Sequence, residues 1–214
     1  VSLVNIPAEE KRHVLEELAD MKDLFAARNW FPGTSGNLSM RIGDIDGDRF
    51  HFAITASGKD KTKRTPEDFL IVDQEGRPAE ATNLKPSAET LIHCEIYRLA
   101  GCGAVFHVHT VFNNLISEYY GQQGAVPLQG IELIKAFNIW EENAAISVPV
   151  LLNYADISAI AKLVPDVLNE KVPGILLRNH GIYAWGRDAF EAKKHLEAFE
   201  FLFEVAYRSL LLQK

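Results

Sequence analysis

Hydrophobic and polar positions follow two different periods along this chain, and each change of period marks an element. Over residues 8–28, after Pro7, the apolar Val14, Leu15, Leu18, Met21, Leu24 and Phe25 recur at steps of three and four, the spacing of an amphipathic helix. Pro32 and Gly33 stop that helix. Residues 39–42 and 49–55 then predict an antiparallel hairpin about the turn Asp44-Ile45-Asp46-Gly47-Asp48. A third strand is expected over 69–72, ended by Glu75-Gly76-Arg77-Pro78, and a helix over 87–99 with Ser87 as its N-cap. It leads into a strand at 104–109.

The second half of the chain continues the mixture. A helix is expected over 112–119, a strand over 125–128, and another strand over 146–152, while 130–137 fits neither period. Residues 156–169 read as a helix capped by Asp156, 174–179 and 182–185 as apolar strands, and 188–212 as a long terminal helix. No internal repeat, low-complexity tract or compositional break divides the pattern. The expectation is one α/β domain over 1–214, with a mostly antiparallel central sheet and flanking helices. The greasiest tract, 198–212, carries Glu200, Glu204 and Arg208 every fourth residue, so it is too charged and too short to span a bilayer.

Composition narrows the function classes. With 47% hydrophobic and 24% charged residues the chain has ordinary globular usage. Its formal charge of -7 argues against nucleic acid as a partner, because such binding neutralises phosphates. Membrane is not an expected partner either. Cys94 and Cys102 are too few for a disulfide framework and read as two reduced thiols. Residues 1–11 show neither a basic nor an apolar signal region, so the cytoplasm is the expected address.

Several residues could carry chemistry. His107 and His109 sit two apart in an expected strand, so both imidazoles leave one face of the sheet and can meet one metal ion. With seven histidines in 214 positions, chance supplies about 0.2 such pairs, so a polar-face pair is an equal reading of that motif alone. His180, in Arg178-Asn179-His180-Gly181, follows an apolar strand where Gly181 lets the backbone turn. Three neutral imidazoles compose a catalytic rather than a structural zinc site, since they leave a coordination position open. His13, His51, His93 and His195 read as structural positions.

Two carboxylates have two readings each. Glu89, expected in the first turn of a helix, is favoured there by the helix dipole whatever else it does. Glu132 is a single acid in an apolar run; buried, it would suit general acid/base work, and on an amphipathic segment it would simply face solvent. The loops Thr34-Ser35-Gly36-Asn37 and Thr55-Ala56-Ser57-Gly58-Lys59 offer backbone N–H groups and hydroxyls to an anion, or are plain turns. Lys59, Lys61, Lys63 and Arg64 form either a phosphate funnel or a solvated loop.

In order and spacing, Ser35-Gly36-Asn37-Leu38-Ser39, Thr55-Ala56-Ser57-Gly58, Pro86-Ser87-Ala88-Glu89, His107-Val108-His109 and Asn179-His180-Gly181 resemble the class II aldolase/adducin family over about residues 10–205. The resemblance implies an α/β/α sandwich, a homotetramer with active sites at subunit boundaries, and one zinc ion per subunit on His107, His109 and His180. It implies phosphate contacts at Asn37, Ser57, Gly58 and Ser87. A second serine common in the family's aldolases is Ala88 here. Glu89 matches a glutamate that lies beside the metal as ligand or base.

The resemblance also separates reactions. The region near Leu128 lacks the tyrosine that protonates the aldolase product, whereas Glu132 matches the acid/base glutamate of the family's dehydratases. The expected activity is therefore dehydration of a phosphorylated ketose, 5-methylthioribulose 1-phosphate, to 2,3-diketo-5-methylthiopentyl 1-phosphate and water, a step of methionine salvage. Zinc would polarise the C2 carbonyl, Glu132 would move the protons, and Lys59 or the basic run after it would steer the phosphate. Cleavage of a ketose 1-phosphate and a non-catalytic adducin-like module are the competing expectations.

Overall fold

A computed structural model describes residues 6–46 and 49–212, so Gly47 and Asp48 of the expected hairpin turn lie outside the described residues. The elements follow the order α1 (Ala8–Ala27), a short 3-10 helix (Pro32–Thr34), β1 (Asn37–Asp46), β2 (Arg49–Thr55), β3 (Phe69–Asp73), α2 (Thr90–Ala100) and β4 (Ala104–Val108). Then come α3 (Val111–Tyr120), β5 (Ala125–Gln129), a 3-10 helix (Glu132–Phe137), β6 (Ala145–Leu151), α4 (Ile157–Ala161), α5 (Val164–Val167), β7 (Gly174–Leu177), β8 (Gly181–Gly186) and α6 (Ala189–Leu212).

The strands form one eight-stranded sheet in the order β3-β2-β1-β4-β8-β7-β6-β5. Among the described residues only the β6–β7 pair is parallel. Alternate side chains of each strand feed two different cores. On one face Leu38, Met40, Phe106, Val108, Ile182 and Ala184 pack with α1, α3 and α6 through Leu18, Phe25, Ile116, Phe199 and Phe203. On the other, Phe52, Ile54, Val105, Tyr183 and Trp185 pack with α2, α4 and α5 through Ile92, Tyr97, Ile160 and Val164. Covering both faces is why β4, β7 and β8 read as continuous apolar runs. Each fully buried side chain of this size contributes roughly 1.5–3 kcal/mol.

β1 runs on to Asp46 through part of the expected turn and β7 stops at Leu177, and three further boundaries also differ from expectation. The helix expected over 156–169 is two short ones, because Pro165 has no N–H to give and its ring collides with the preceding turn. Asp156 does cap the first, accepting from the Ser158 N–H at 2.9 Å. Ser87 is not the N-cap of α2. Pro86 is held extended by a bridge to Ala56, which delays the helix until Thr90 and leaves Glu89 at the cap. Finally, β1 starts at Asn37, two residues early, and that places Asn37 opposite His107.

Candidate metal centre

The centre forms where four separate segments meet at one end of the sheet. Asn37 on β1 pairs with His107 on β4, which pairs in turn with Tyr183 on β8, so the three form one row across the sheet. The α2-facing side of that row ends at Glu89. His109 follows the end of β4, and His180 sits in the turn between β7 and β8. One ligand atom from each of Glu89, His107, His109 and His180 lies within 4.8 Å of every other.

The rings are oriented from behind. His107 is fully buried, stacked on Tyr183 at 3.9 Å between centroids, and its Nδ1–H donates to the Ile182 carbonyl at 2.9 Å. That bond fixes the tautomer and turns Nε2 inward, 2.8 Å from Nε2 of His109. His180 is held in the same way, Nδ1 to Asn153 Oδ1 at 3.1 Å, with Nε2 2.8 Å from Glu89 Oε1. Convergent imidazole lone pairs beside a carboxylate are a donor set for a divalent cation of the zinc type. The residues fit a metal.

Electrostatics keep these donors in their binding forms. Burial lowers the His107 pKa to about 4 against the pull of Glu89, and lowers that of His109 to about 2 with help from His107 and His180. Burial works to raise the Glu89 pKa, but the facing His107 and His180 imidazoles and the hydrogen bonds from His180 and Asn37 outweigh it, so the carboxyl stays ionised. Asn37 is the hinge of this arrangement: Nδ2 donates to Glu89 Oε2 at 2.5 Å, and Oδ1 accepts from His93 Nε2. Behind it, His93 Nδ1 meets Ser39 Oγ at 2.7 Å, which meets the Tyr97 hydroxyl at 2.8 Å. Burial drives the His93 pKa down to about 3, so it serves as a neutral relay in this chain of bonds.

A cavity of about 290 Å³ opens beside the cluster, lined among others by Asn37, Ser57, Gly58, Lys61, Ser87, Glu89 and His109. The Thr55–Lys59 loop is tied to the segment that carries Ser87, since Ser57 N donates to the Lys85 carbonyl at 2.8 Å. Lys59 is turned away from the cavity and bonded to Glu67. Its place is taken by Lys61, which is 6% exposed and donates to the Thr34 carbonyl at 2.6 Å. The loop beneath it is anchored by the buried pair Lys22–Asp68 at 3.1 Å, whose rupture would cost about 3–5 kcal/mol. Sequence reasoning offered Lys61 only as one of the basic run, because burial alone distinguishes it from its neighbours.

The structure also locates Gly181 and Glu132. Gly181 has no left-handed backbone; Asn179 does, at φ 51. What Gly181 provides is room, because a Cβ there would stand 2.5 Å from the Val108 carbonyl oxygen and 2.8 Å from His107 Cε1. Glu132, second, is not brought to the histidines within one chain. It opens the 3-10 helix with its side chain 84% exposed, paired with Lys135 at 2.7 Å, and lines a separate cavity of about 340 Å³ with Trp140. Within the single chain, the Glu132 carboxylate faces solvent.

This fold agrees with comparisons to known proteins. A model of the class II aldolase and adducin N-terminal domain matches residues 16–207, and the chain belongs to that family. Among curated relatives, the methylthioribulose-1-phosphate dehydratase of Geobacillus kaustophilus (strain HTA426) is 57% identical over 199 residues, covering 93% of each chain. The protein of the same name from Bacillus subtilis (strain 168) is 52% identical over 194 residues, 90% of this chain and 91% of that one. Among solved structures, l-fuculose-1-phosphate aldolase from Thermus thermophilus superposes with a TM-score of 0.69 at 26% identity, covering 94% of this chain and 97% of that one.

Proposed function

We propose that this chain, acting as a single class II aldolase-like domain over 1–214, dehydrates 5-methylthioribulose 1-phosphate to 2,3-diketo-5-methylthiopentyl 1-phosphate and water, as a step of methionine salvage in the cytoplasm. The observation that carries the reading is the convergence of Glu89, His107, His109 and His180 beside an anion cradle, in a chain 57% identical to a curated relative of that activity. His107, His109 and His180 hold one Zn²⁺, with Glu89 beside it. When bound, that ion supplies Lewis-acid polarisation of the substrate carbonyl.

The protein residues do the rest. Ser57, Gly58 and Ser87 hold the phosphate in the cavity, Asn37 orients the Glu89 carboxylate toward the histidines, and the ammonium of Lys61 balances the phosphate charge. Glu132 takes the C3 proton and returns a proton to the hydroxyl leaving C4. Since it lies outside its own chain's metal cavity, it acts from a neighbouring subunit of a homotetramer whose active sites are shared across boundaries. Among the described residues, no helix is long and apolar enough to cross a membrane.

The test is incubation of the purified protein with 5-methylthioribulose 1-phosphate, following products by NMR with and without a zinc chelator. A diketo phosphate formed only without chelator is the expected result. Dihydroxyacetone phosphate instead would show carbon–carbon cleavage, and no turnover by zinc-loaded protein would overturn the substrate assignment.

A further inference from the structure

We infer that Glu200 is a positioning residue of the metal centre, acting through the first turn of α3 on the two segments that carry His109 and His180. The inference rests on the reading of the histidine cluster as a metal site. Glu200 lies on α6 among apolar side chains, 8% exposed, and does not itself touch the cluster. Its Oε2 accepts from Thr110 Oγ1 at 2.5 Å and its Oε1 from Asn113 Nδ2 at 2.8 Å. Both partners are neutral donors. A carboxylate buried on such terms is costly, and a leucine would fill the same space without that cost.

What the carboxylate secures is the short stretch after β4. Thr110 directly follows His109 and caps α3 reciprocally: its Oγ1 accepts from Asn113 N at 3.1 Å, and its own N–H donates to Asn113 Oδ1 at 3.1 Å. Asn113 Nδ2 also donates to the Val108 carbonyl at 3.2 Å, so the residues on both sides of His109 are tied to one side chain. The next residue reaches the other histidine. Asn114 Nδ2 donates to the His180 carbonyl at 2.8 Å and to the Thr110 carbonyl at 2.9 Å. One turn further, Ser117 Oγ accepts from Asn179 N at 3.0 Å.

A single helical face therefore spaces the β4 end from the β7–β8 turn, and Glu200 locks that face against α6. Chains of bonds behind the ligands of a metal set its affinity, and losing one member typically weakens binding by about 10–100-fold. Gln at this position can still satisfy both partners, its carbonyl accepting from Asn113 while its amide donates to the Thr110 hydroxyl. Leu satisfies neither.

The experiment is a Zn²⁺ affinity measurement by competition with a chromophoric chelator on metal-stripped wild-type, E200Q, E200L and F203L proteins, with circular dichroism and Tm for each. Phe203 is a fully buried residue of the same helix, so F203L reports what loss of packing alone does. The expected result is a Zn²⁺ Kd raised about 10–100-fold in E200L and within about 3-fold of wild type in E200Q and F203L. Equal affinity in wild type and E200L, or an equal loss in F203L, would overturn the role of Glu200. Failure of the wild-type protein to bind Zn²⁺ would instead overturn the metal site itself, and the inference with it. If E200L does not fold, E200A carries the same test, with the same rise in Kd expected and an unchanged Kd overturning the role of Glu200.

Discussion

Glu89 at the N-terminus of α2 and His180 in the turn between β7 and β8 stand 2.8 Å apart, carboxylate oxygen to imidazole nitrogen. No local pattern joins them; the sheet order does, by placing β8 beside β4 and one strand away from β1. The same geometry makes the cluster all-or-none. His107→Ala removes the one donor that is fully buried and stacked, and is expected to abolish both bound zinc and turnover. Metal content by plasma emission, alongside the NMR assay, checks it; retained stoichiometric zinc would exclude His107 as a ligand.

Glu132→Gln is expected to keep its metal and to lose at least about 100-fold in rate, the usual scale for a general acid/base. Because Glu132 faces away from its own chain's cavity, mixing separates its subunit of action. Subunits carrying H107A and E132Q, each inactive alone, should regain about a quarter of wild-type activity when co-assembled at random, since one shared site in four then has both native residues. No recovery in a mixed tetramer would place Glu132 outside a shared site.

Lys61→Ala is expected to raise KM for the phosphorylated substrate about 10-fold or more, the loss of a charge-assisted contact, whereas Lys59→Ala leaves it unchanged. Steady-state kinetics on the two variants decides between the neighbours. A larger effect at Lys59 would mean that its pairing with Glu67 is broken when substrate binds.

Gly181→Ala is expected to disable the centre without replacing a ligand, because the new Cβ meets the Val108 carbonyl, His107 and His109 at once. A Zn²⁺ Kd within about 2-fold of wild type by chelator competition would show that the two segments can separate at little cost.

Burial raises the Glu200 carboxyl to about 7 despite its hydrogen bonds to Thr110 and Asn113, and the charge of Glu204 adds slightly to the rise. Between its unfolded value near 4.5 and about 7, the native chain keeps a proton that the unfolded chain has released, so this group's stabilising contribution is present at low pH and lost as pH rises. The loss amounts to about 3 kcal/mol above pH 7. E200Q lacks this dependence, and the buried histidines are common to both proteins. Thermal melts at pH 5 and pH 8 should therefore show the variant gaining on wild type as pH rises, and an unchanged difference in Tm would show that Glu200 does not titrate in that range.

By itself the sequence determined the elements and the chemistry they carry. Apolar spacing placed the α1, α3 and α6 regions and most strands within a few residues, and His107-Val108-His109 announced a donor pair because a two-residue step in a strand returns to the same face. Local stereochemistry acts over a few residues, so it can be read in order. Tertiary structure decided what depends on approach between distant segments: that Lys61 rather than Lys59 enters the cavity, that Asn37 braces Glu89 against His93, and that Gly181 is needed for space. It also decided that Glu132 faces away from its own histidines. Burial and contact are properties of the packed sheet and its covering helices, and neither is encoded by the identity of a single residue.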